Sequence, residues 1–309
     1  MSDSPNSTPP AWYLAGPTAV GKSALALALA ERLNGEIISV DSMQVYRGLD
    51  VGTAKPAGAE QARVPHHLIN VLDLADAFDA ARFVALAKAA ETEIRRRGRL
   101  PIYCGGTGLY FKALLCGLGE APAADPALRA ELERTSLAEL LVELGRRDPK
   151  TFARIDRQNP RRIIRALEVI RTTNRPLGEQ QASWRGSPAV PEHFIAFARE
   201  TNDLRHRIDA RVDRMFTEGL VDETRRLLGT GLAENRTAMQ AIGYRQVAEH
   251  LRGERSLADT IRLVKGKTWQ LARRQQTWLR HQLPATWANL QPTDDPEKVA
   301  SALLAGKVS

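Results

Sequence analysis

Gly16-Pro17-Thr18-Ala19-Val20-Gly21-Lys22-Ser23 is the stretch whose reading decides the fold. It matches G-x-x-x-x-G-K-[ST], the pattern of a phosphate-binding loop. The glycines let backbone N–H groups turn inward around phosphate oxygens. The helix N-terminus behind them adds positive potential, Lys22 supplies a point charge, and Ser23 can ligate Mg²⁺. The context fits. Ala11–Ala15 (AWYLA) reads as a short buried strand, and Ser23–Leu33 (SALALALAERL) is strongly helix-forming. The pattern predicts that a phosphorylated or pyrophosphorylated small molecule sits at the start of the first helix, the alternative being a fortuitous glycine turn.

Outward from this loop the pattern repeats. Asn34-Gly35 ends the helix as a left-handed cap would. Ile37–Val40 is a second β-branched strand, closed by Asp41. Residues 80–97 read as a helix with Arg95, Arg96 and Arg97 at its C-terminal end, where the dipole favours cations. Leu100–Cys104 is a third strand, stopped by Gly105-Gly106. Strand and helix in alternation predict a parallel α/β sheet. APAADP at 121–126 is linker-like, and residues 126–290 are mostly helical in pattern. Pro188 and Pro191 mark a second break, after which His193–Phe197 reads as a further strand of the same sheet. The expected architecture is an α/β P-loop NTPase-like parallel sheet core with a mainly α-helical insertion domain and a helical C-terminal region. Its core begins at 11–124, the insertion occupies 125–190, and 191–290 completes the core, with tails at 1–10 and 291–309.

The chain has 309 residues, a net charge of +8 and a pI near 9.8. The excess is uneven: residues 161–309 carry 25 basic against 17 acidic residues. That asymmetry suggests a polyanionic partner such as nucleic acid, or else a generic basic surface. Cys104 and Cys116 form no CxxC pair and have no histidine at zinc spacing, so both read as reduced core thiols of a cytoplasmic protein. The polar N-terminus predicts no secretory signal, and no apolar run is long enough to predict a membrane span.

Asp41 ends a strand beside the loop, which suits either a Mg²⁺ ligand or a general base facing an acceptor, and sequence leaves both open. Ser42, Gln44 and Tyr46 add hydrogen-bonding capacity. Gly105-Gly106-Thr107-Gly108-Leu109-Tyr110 permits close approach of a ligand, and Thr107 could bond a phosphate or leaving group. Arg129 is a candidate to cap the same anion, or a solvated helix residue. Arg161, Arg162 and Arg165 share neighbouring helical positions. Residues 260–293 contain no acid and carry Arg262, Lys265, Lys267, Arg273, Arg274 and Arg280 among Trp269 and Trp278. Basic charge with aromatics suits phosphate contact and base stacking, whereas core packing is the alternative for each tryptophan. His66 and His67 point to different sides of any regular element and read as structural or as residues that support the site from behind.

Taken together, GPTAVGKS, DSMQVY at 41–46, GLDVGTAKP at 48–56, HHLINV at 66–71 and GGTGLY at 105–110 resemble the tRNA dimethylallyltransferase family. RRIIRALEV at 161–169, QAIGYRQ at 240–246 and WQLARRQQTWLR at 269–280 extend the resemblance over about residues 11–285. Asn70 stands where the family often has Asp. The resemblance implies a cytoplasmic enzyme that moves a dimethylallyl group from dimethylallyl pyrophosphate to N6 of adenosine 37 in the tRNA anticodon loop. It implies that Lys22, Ser23, Thr107, Arg129 and Mg²⁺ hold the pyrophosphate, with Asp41 as the base. It also implies tRNA contacts from Asp41, Ser42, Met43 and Gln44, and from Arg161, Arg162, Ile163, Ile164 and Arg165 of the insertion. Further tRNA contacts are expected from Gln240, Gly243, Tyr244 and Arg245, and from Arg273, Arg274, Gln275, Trp278 and Arg280. A monomer is assumed. The competing readings are a prenyltransferase acting on free adenine nucleotides, a P-loop kinase or RNA-dependent ATPase, and an RNA-binding protein without activity.

Overall fold

The computed structural model describes residues 9–118, 121–122, 125–180 and 191–307. The chain divides into two compact units, Met1–Lys112 with Ala189–Ser309, and Ala113–Pro188.

The first unit is built on six parallel strands: β1 (Trp12–Ala15), β2 (Gly35–Val40), β3 (His66–His67), β4 (Leu100–Gly105), β5 (His193–Arg199) and β6 (Thr286–Leu290), in the order β3-β2-β4-β1-β5-β6. Strand register brings the motifs together. Ala15 and Val40 both lie opposite Gly105, so the chain segments leaving β1, β2 and β4 emerge side by side at one carboxyl edge. Ligands of open parallel sheets sit at that edge.

Four helices accompany the first strands: α1 (Lys22–Leu33), α2 (Gly58–Arg63), α3 (Ala80–Arg96) and α4 (Gly108–Cys116). The alternation of Ala and Leu in α1 leaves Leu25 through Ala30 all buried. A helix apolar all round must be covered all round. Strand residues such as Leu14 and Ile102 cover one side of it, while Ala300 and Leu303 of the last helix join the same core. Asn34 caps α1 in the left-handed conformation at φ 49°, as its place before Gly35 suggests. Under the sheet, the buried carboxylate of Glu36 is answered by Arg97 at 2.6 Å and His67 at 2.6 Å. His67 thus pairs with a buried carboxylate, and His66, beside it on the short edge strand β3, meets the Val64 carbonyl at 2.8 Å.

The second unit holds α5 (Pro126–Arg134), α6 (Leu137–Arg147), α7 (Pro149–Arg154), α8 (Pro160–Thr173) and the short α9 (Leu177–Gln180). Its core joins Leu132, Leu140, Leu144, Ile163, Leu167 and Ile170, the apolar stripes of α5, α6 and α8. Each of α5, α6, α7 and α8 starts on a side-chain cap, from Asp125, Ser136, Asp148 and Asn159 respectively. Pro188, Ala123 and Ala124 lie outside the described residues, as do residues 1–8 of the expected tail.

The chain then returns to the first unit with α10 (Thr201–Thr217), α11 (Leu220–Leu228), α12 (Tyr244–Leu251), α13 (Leu257–Gln282) and α14 (Pro296–Leu304). Two features depart from expectation. The helical reading to residue 290 is interrupted by β6, which extends the sheet beyond β5. The stretch from 291 contains α14, tied to α1 by the Arg32–Glu297 ion pair at 2.9 Å and by apolar packing. No helix among the described residues is long and apolar enough to cross a membrane.

Candidate active site

Three strand ends build the site. Gly16 leaves β1 in a tight space: a Cβ there would lie 3.1 Å from the Phe197 carbonyl oxygen. Gly21 takes a left-handed φ of 109°, which turns the loop into α1. Asp41 follows β2 and is half-buried. Its Oδ1 accepts hydrogen bonds from the amides of Met43 at 2.8 Å and Gln44 at 3.2 Å. Its Oδ2 takes no hydrogen bond among the described residues. Gly105 closes β4 where a Cβ would meet the Val40 carbonyl oxygen at 2.0 Å, so only glycine fits. The Thr107 amide donates to that carbonyl at 3.2 Å, which sets Thr107 beside Asp41.

The phosphate loop is held from outside by arginines that the sequence did not single out. Arg199 of β5 donates to the Val20 carbonyl at 2.7 Å, and Arg207 of α10 donates to the Ala19 carbonyl at 2.9 Å. Arg211, one turn further on, donates to the Thr18 hydroxyl at 3.2 Å. Arg199 is neutralised by Asp203 at 2.8 Å. Arg207 and Arg211 make no ion pair among the described residues. Burial pulls the Arg211 pKa down, and Arg207 beside it pulls the same way. Burial likewise lowers that of Arg207, reinforced by Arg199. Lys22, whose ammonium rests on the Pro17 carbonyl at 3.2 Å, is lowered by burial and by Arg211, against the pull of Asp41. Clustered cations that shed water without gaining a counter-charge are costly unless an anion completes them. A polyphosphate would do so. Their signal in the sequence was the four-residue spacing of Arg207 and Arg211 on one helix face.

Ser23 stands exposed on the first turn of α1. Among the described residues there is no cluster of three or more His, Cys, Asp or Glu. The hydroxyl oxygen of Ser23 is the kind of hard donor that Mg²⁺ takes beside phosphate oxygens and waters.

A layer of hydrogen bonds fixes the segment that follows Asp41. Gln44 accepts from the Ser39 hydroxyl at 2.9 Å and donates to the carbonyls of Thr53 and Ala54 at 3.2 and 3.3 Å. The loop carrying those carbonyls is pinned in turn by Glu223, whose carboxylate accepts the amides of Val51 at 3.0 Å and Gly52 at 3.3 Å. The ammonium of Lys55 reaches Asp50 and the side chain of Asn70, so the residue that departs from the family pattern still serves as an acceptor.

Several expected RNA contacts are corrected. Tyr244 is fully buried, with its hydroxyl on Glu223, and Gly243 is buried at the start of α12. Ile163 and Ile164 belong to the core of the helical unit. The side chains of Tyr244, Ile163 and Ile164 are thus turned into the protein. Arg165 and Arg129 both engage the buried Glu168 within that unit, at 2.8 and 2.6 Å. Arg129 therefore has a structural partner within the helical unit. Arg161 and Arg162 are exposed on the first turn of α8. Gln240 and Arg245 are exposed in the first unit. The long basic helix α13 is partly compensated, since Arg262 pairs with Asp259 and Lys265 with Asp213. Lys267, Arg273, Arg274 and Arg280 are exposed and make no ion pair among the described residues. A shallow pocket lined by Gln270, Arg273, Arg274, Thr277 and Trp278 opens on this face.

The chain is similar to known proteins. The family profile described as IPP transferase matches residues 44–282, and that described as isopentenyl transferase matches residues 10–71. A tRNA dimethylallyltransferase of Halorhodospira halophila is 49% identical over 283 residues, covering 89% of this chain and 91% of its own. Another, from Trichlorobacter lovleyi, is 46% identical over 280 residues, covering 89% and 92%. The crystal structure of a tRNA isopentenylpyrophosphate transferase from Bacillus halodurans superposes with a TM-score of 0.70 at 39% identity, covering 97% of both chains. A eukaryotic dimethylallyltransferase described as acting on tRNA superposes with a TM-score of 0.75 at 25% identity, covering 96% of this chain and 80% of its own.

Proposed function

The chain belongs to the IPP transferase family, and from that premise we propose that it transfers a dimethylallyl group from dimethylallyl pyrophosphate to N6 of adenosine 37 of tRNA, as a cytoplasmic monomer. The observation that carries this reading is the pairing of two opposite environments at one sheet edge. Desolvated cations, Lys22, Arg207 and Arg211, surround the phosphate loop, and the carboxylate of Asp41 stands at the next strand end but one.

The chemistry follows from that arrangement. The N6 nitrogen attacks the allylic carbon, the C–N bond forms, and the C–O bond to pyrophosphate breaks with its electron pair leaving on oxygen. The exocyclic amine is a weak nucleophile, so a positioned carboxylate assists by taking its proton. Asp41 has that role: two backbone amides hold Oδ1 and leave Oδ2 for the amine. The leaving group gains negative charge in the transition state, which the loop amides, Lys22, Arg207, Arg211 and the Thr107 hydroxyl stabilise. Mg²⁺, when bound through Ser23, would supply further charge neutralisation on the pyrophosphate. The adenine must leave the anticodon stack to reach Asp41, at a cost of about a few kcal/mol. Exposed arginines of α13 and of the first turn of α8 offset that cost by neutralising phosphates.

A strain deleted for this gene tests the proposal. Its tRNA nucleosides, analysed by mass spectrometry, should lose N6-prenylated adenosine and regain it with the wild-type gene. Unchanged prenylation would remove the assignment.

A further inference from the structure

The basic helix α13 does more than present charge. Gln275, Trp278 and Gln282 are spaced i, i+3, i+7 and so share one face. All three meet the chain segment that leaves β4. Gln282 accepts from Lys112 at 2.6 Å. The Trp278 ring lies where a Cβ on Gly108 would approach it to 2.1 Å, so the indole occupies the space that glycine leaves. Gln275 alone reaches past this segment to the phosphate loop. Its Oε1 accepts the Thr18 amide at 2.9 Å while its Nε2 donates to the Gly106 carbonyl at 3.0 Å.

Both functions of one carboxamide are thus used, one on each of two loops from neighbouring strands. The fit is close, since a Cβ on Gly106 would come within 2.4 Å of Nε2. Thr18 is gripped from two sides, its amide by Gln275 and its hydroxyl by Arg211. The chemistry admits few substitutes. A glutamate would set a carboxylate oxygen against the Gly106 carbonyl and add negative charge at an anion site. A residue without polar atoms would join neither loop.

We propose that Gln275 is a positioning residue for the donor site, clamping the phosphate loop to the Gly106-Thr107 loop so that both face the pyrophosphate together. Gln275 then acts on the donor rather than on the RNA that its neighbours Arg273 and Arg274 face. This inference rests on the prenyl-transfer reading for its kinetic arm only.

The test uses the full-length protein with Gln275→Met, which keeps size and removes both bonds, and Gln275→Glu, which keeps an acceptor and loses the donor. Steady-state kinetics should show the KM for dimethylallyl pyrophosphate rising at least about fivefold in Gln275→Met and further in Gln275→Glu. The KM for tRNA should stay within about twofold and the melting temperature close to wild type. Calorimetry with inorganic pyrophosphate and no RNA should show the same ranking of affinities. That arm needs no turnover, so it reports on the clamp even if the wild type transfers no prenyl group. A rise in the tRNA KM with the donor KM and pyrophosphate affinity unchanged would make Gln275 an RNA contact and overturn the proposal. Wild-type values in both variants would overturn it equally.

Discussion

The Tyr244 hydroxyl donates to the buried Glu223 carboxylate at 2.6 Å, and both then hold the amide of Gly52, from 3.1 Å and 3.3 Å. The ring is seated as closely as the hydrogen bonds, since a Cβ on Gly52 would lie 2.5 Å from it. Loop 49–54 is thereby fixed, and with it the carbonyls that orient Gln44 beside Asp41.

Removing the hydroxyl with Tyr244→Phe leaves a buried carboxylate short of a donor, which costs about 1–3 kcal/mol. Denaturant unfolding should show that loss. Because the loop positions the acceptor side, the KM for tRNA should rise while the KM for the donor stays near wild type. A variant destabilised with both KM values unchanged would reduce this pair to a structural role.

Arg211 touches the phosphate loop and has no carboxylate partner among the described residues. Arg211→Ala should lower kcat for prenyl transfer by roughly 10²–10³, the scale for losing one preorganised donor to a developing oxyanion. Arg211→Lys restores charge but not the planar fork, and should recover only part of it. A loss under threefold would place the guanidinium outside the reaction.

How much of the molecule was legible in the chain depends on distance along it. The phosphate loop, Asp41 and Gly105-Gly106 were readable because each motif encodes its own turn: a glycine where the backbone must bend and a strand where the residue must be delivered. Arg211, Glu223 and Gln275 were not assigned these roles, because each meets the loop it holds across 169 or more residues. The strand β6 was lost for a local reason. TWANL is short, holds one β-branched residue and follows a 26-residue helix. A motif does not encode which of its residues are buried. Ile163, Ile164, Leu167 and Ile170 recur at helical spacing, which marks a core stripe rather than an RNA face.

Cys104 is buried at the foot of the phosphate loop, its thiol 3.7 Å from the Lys22 carbonyl oxygen, and burial pushes its pKa up to about 11. The thiol is therefore protonated at neutral pH, and the thiolate is the reactive form. Native protein treated with iodoacetamide at pH 7.5 should label the half-buried Cys116 first, and Cys104 only after unfolding. Rapid labelling of Cys104 in the folded state would contradict the burial.

Arg273 and Arg274 are exposed on α13 beside the pocket that includes Trp278. The double change to alanine should weaken tRNA binding and reduce the slope of log K against log salt by one to two units, about 0.7–0.9 for each phosphate no longer neutralised. An unchanged slope would take this face of α13 out of the RNA interface.

The central claim is that the phosphate loop serves a leaving group while RNA brings the nucleophile to Asp41. The most direct measurement incubates the purified protein with labelled dimethylallyl pyrophosphate and, in parallel, tRNA, AMP or tRNA with the Asp41→Ala variant. The expected result is label on N6 of adenosine 37 only with the wild-type protein and tRNA, with the variant inactive yet binding tRNA within about tenfold, roughly 1.4 kcal/mol. Label on AMP but not on tRNA, or full activity in Asp41→Ala, would contradict it.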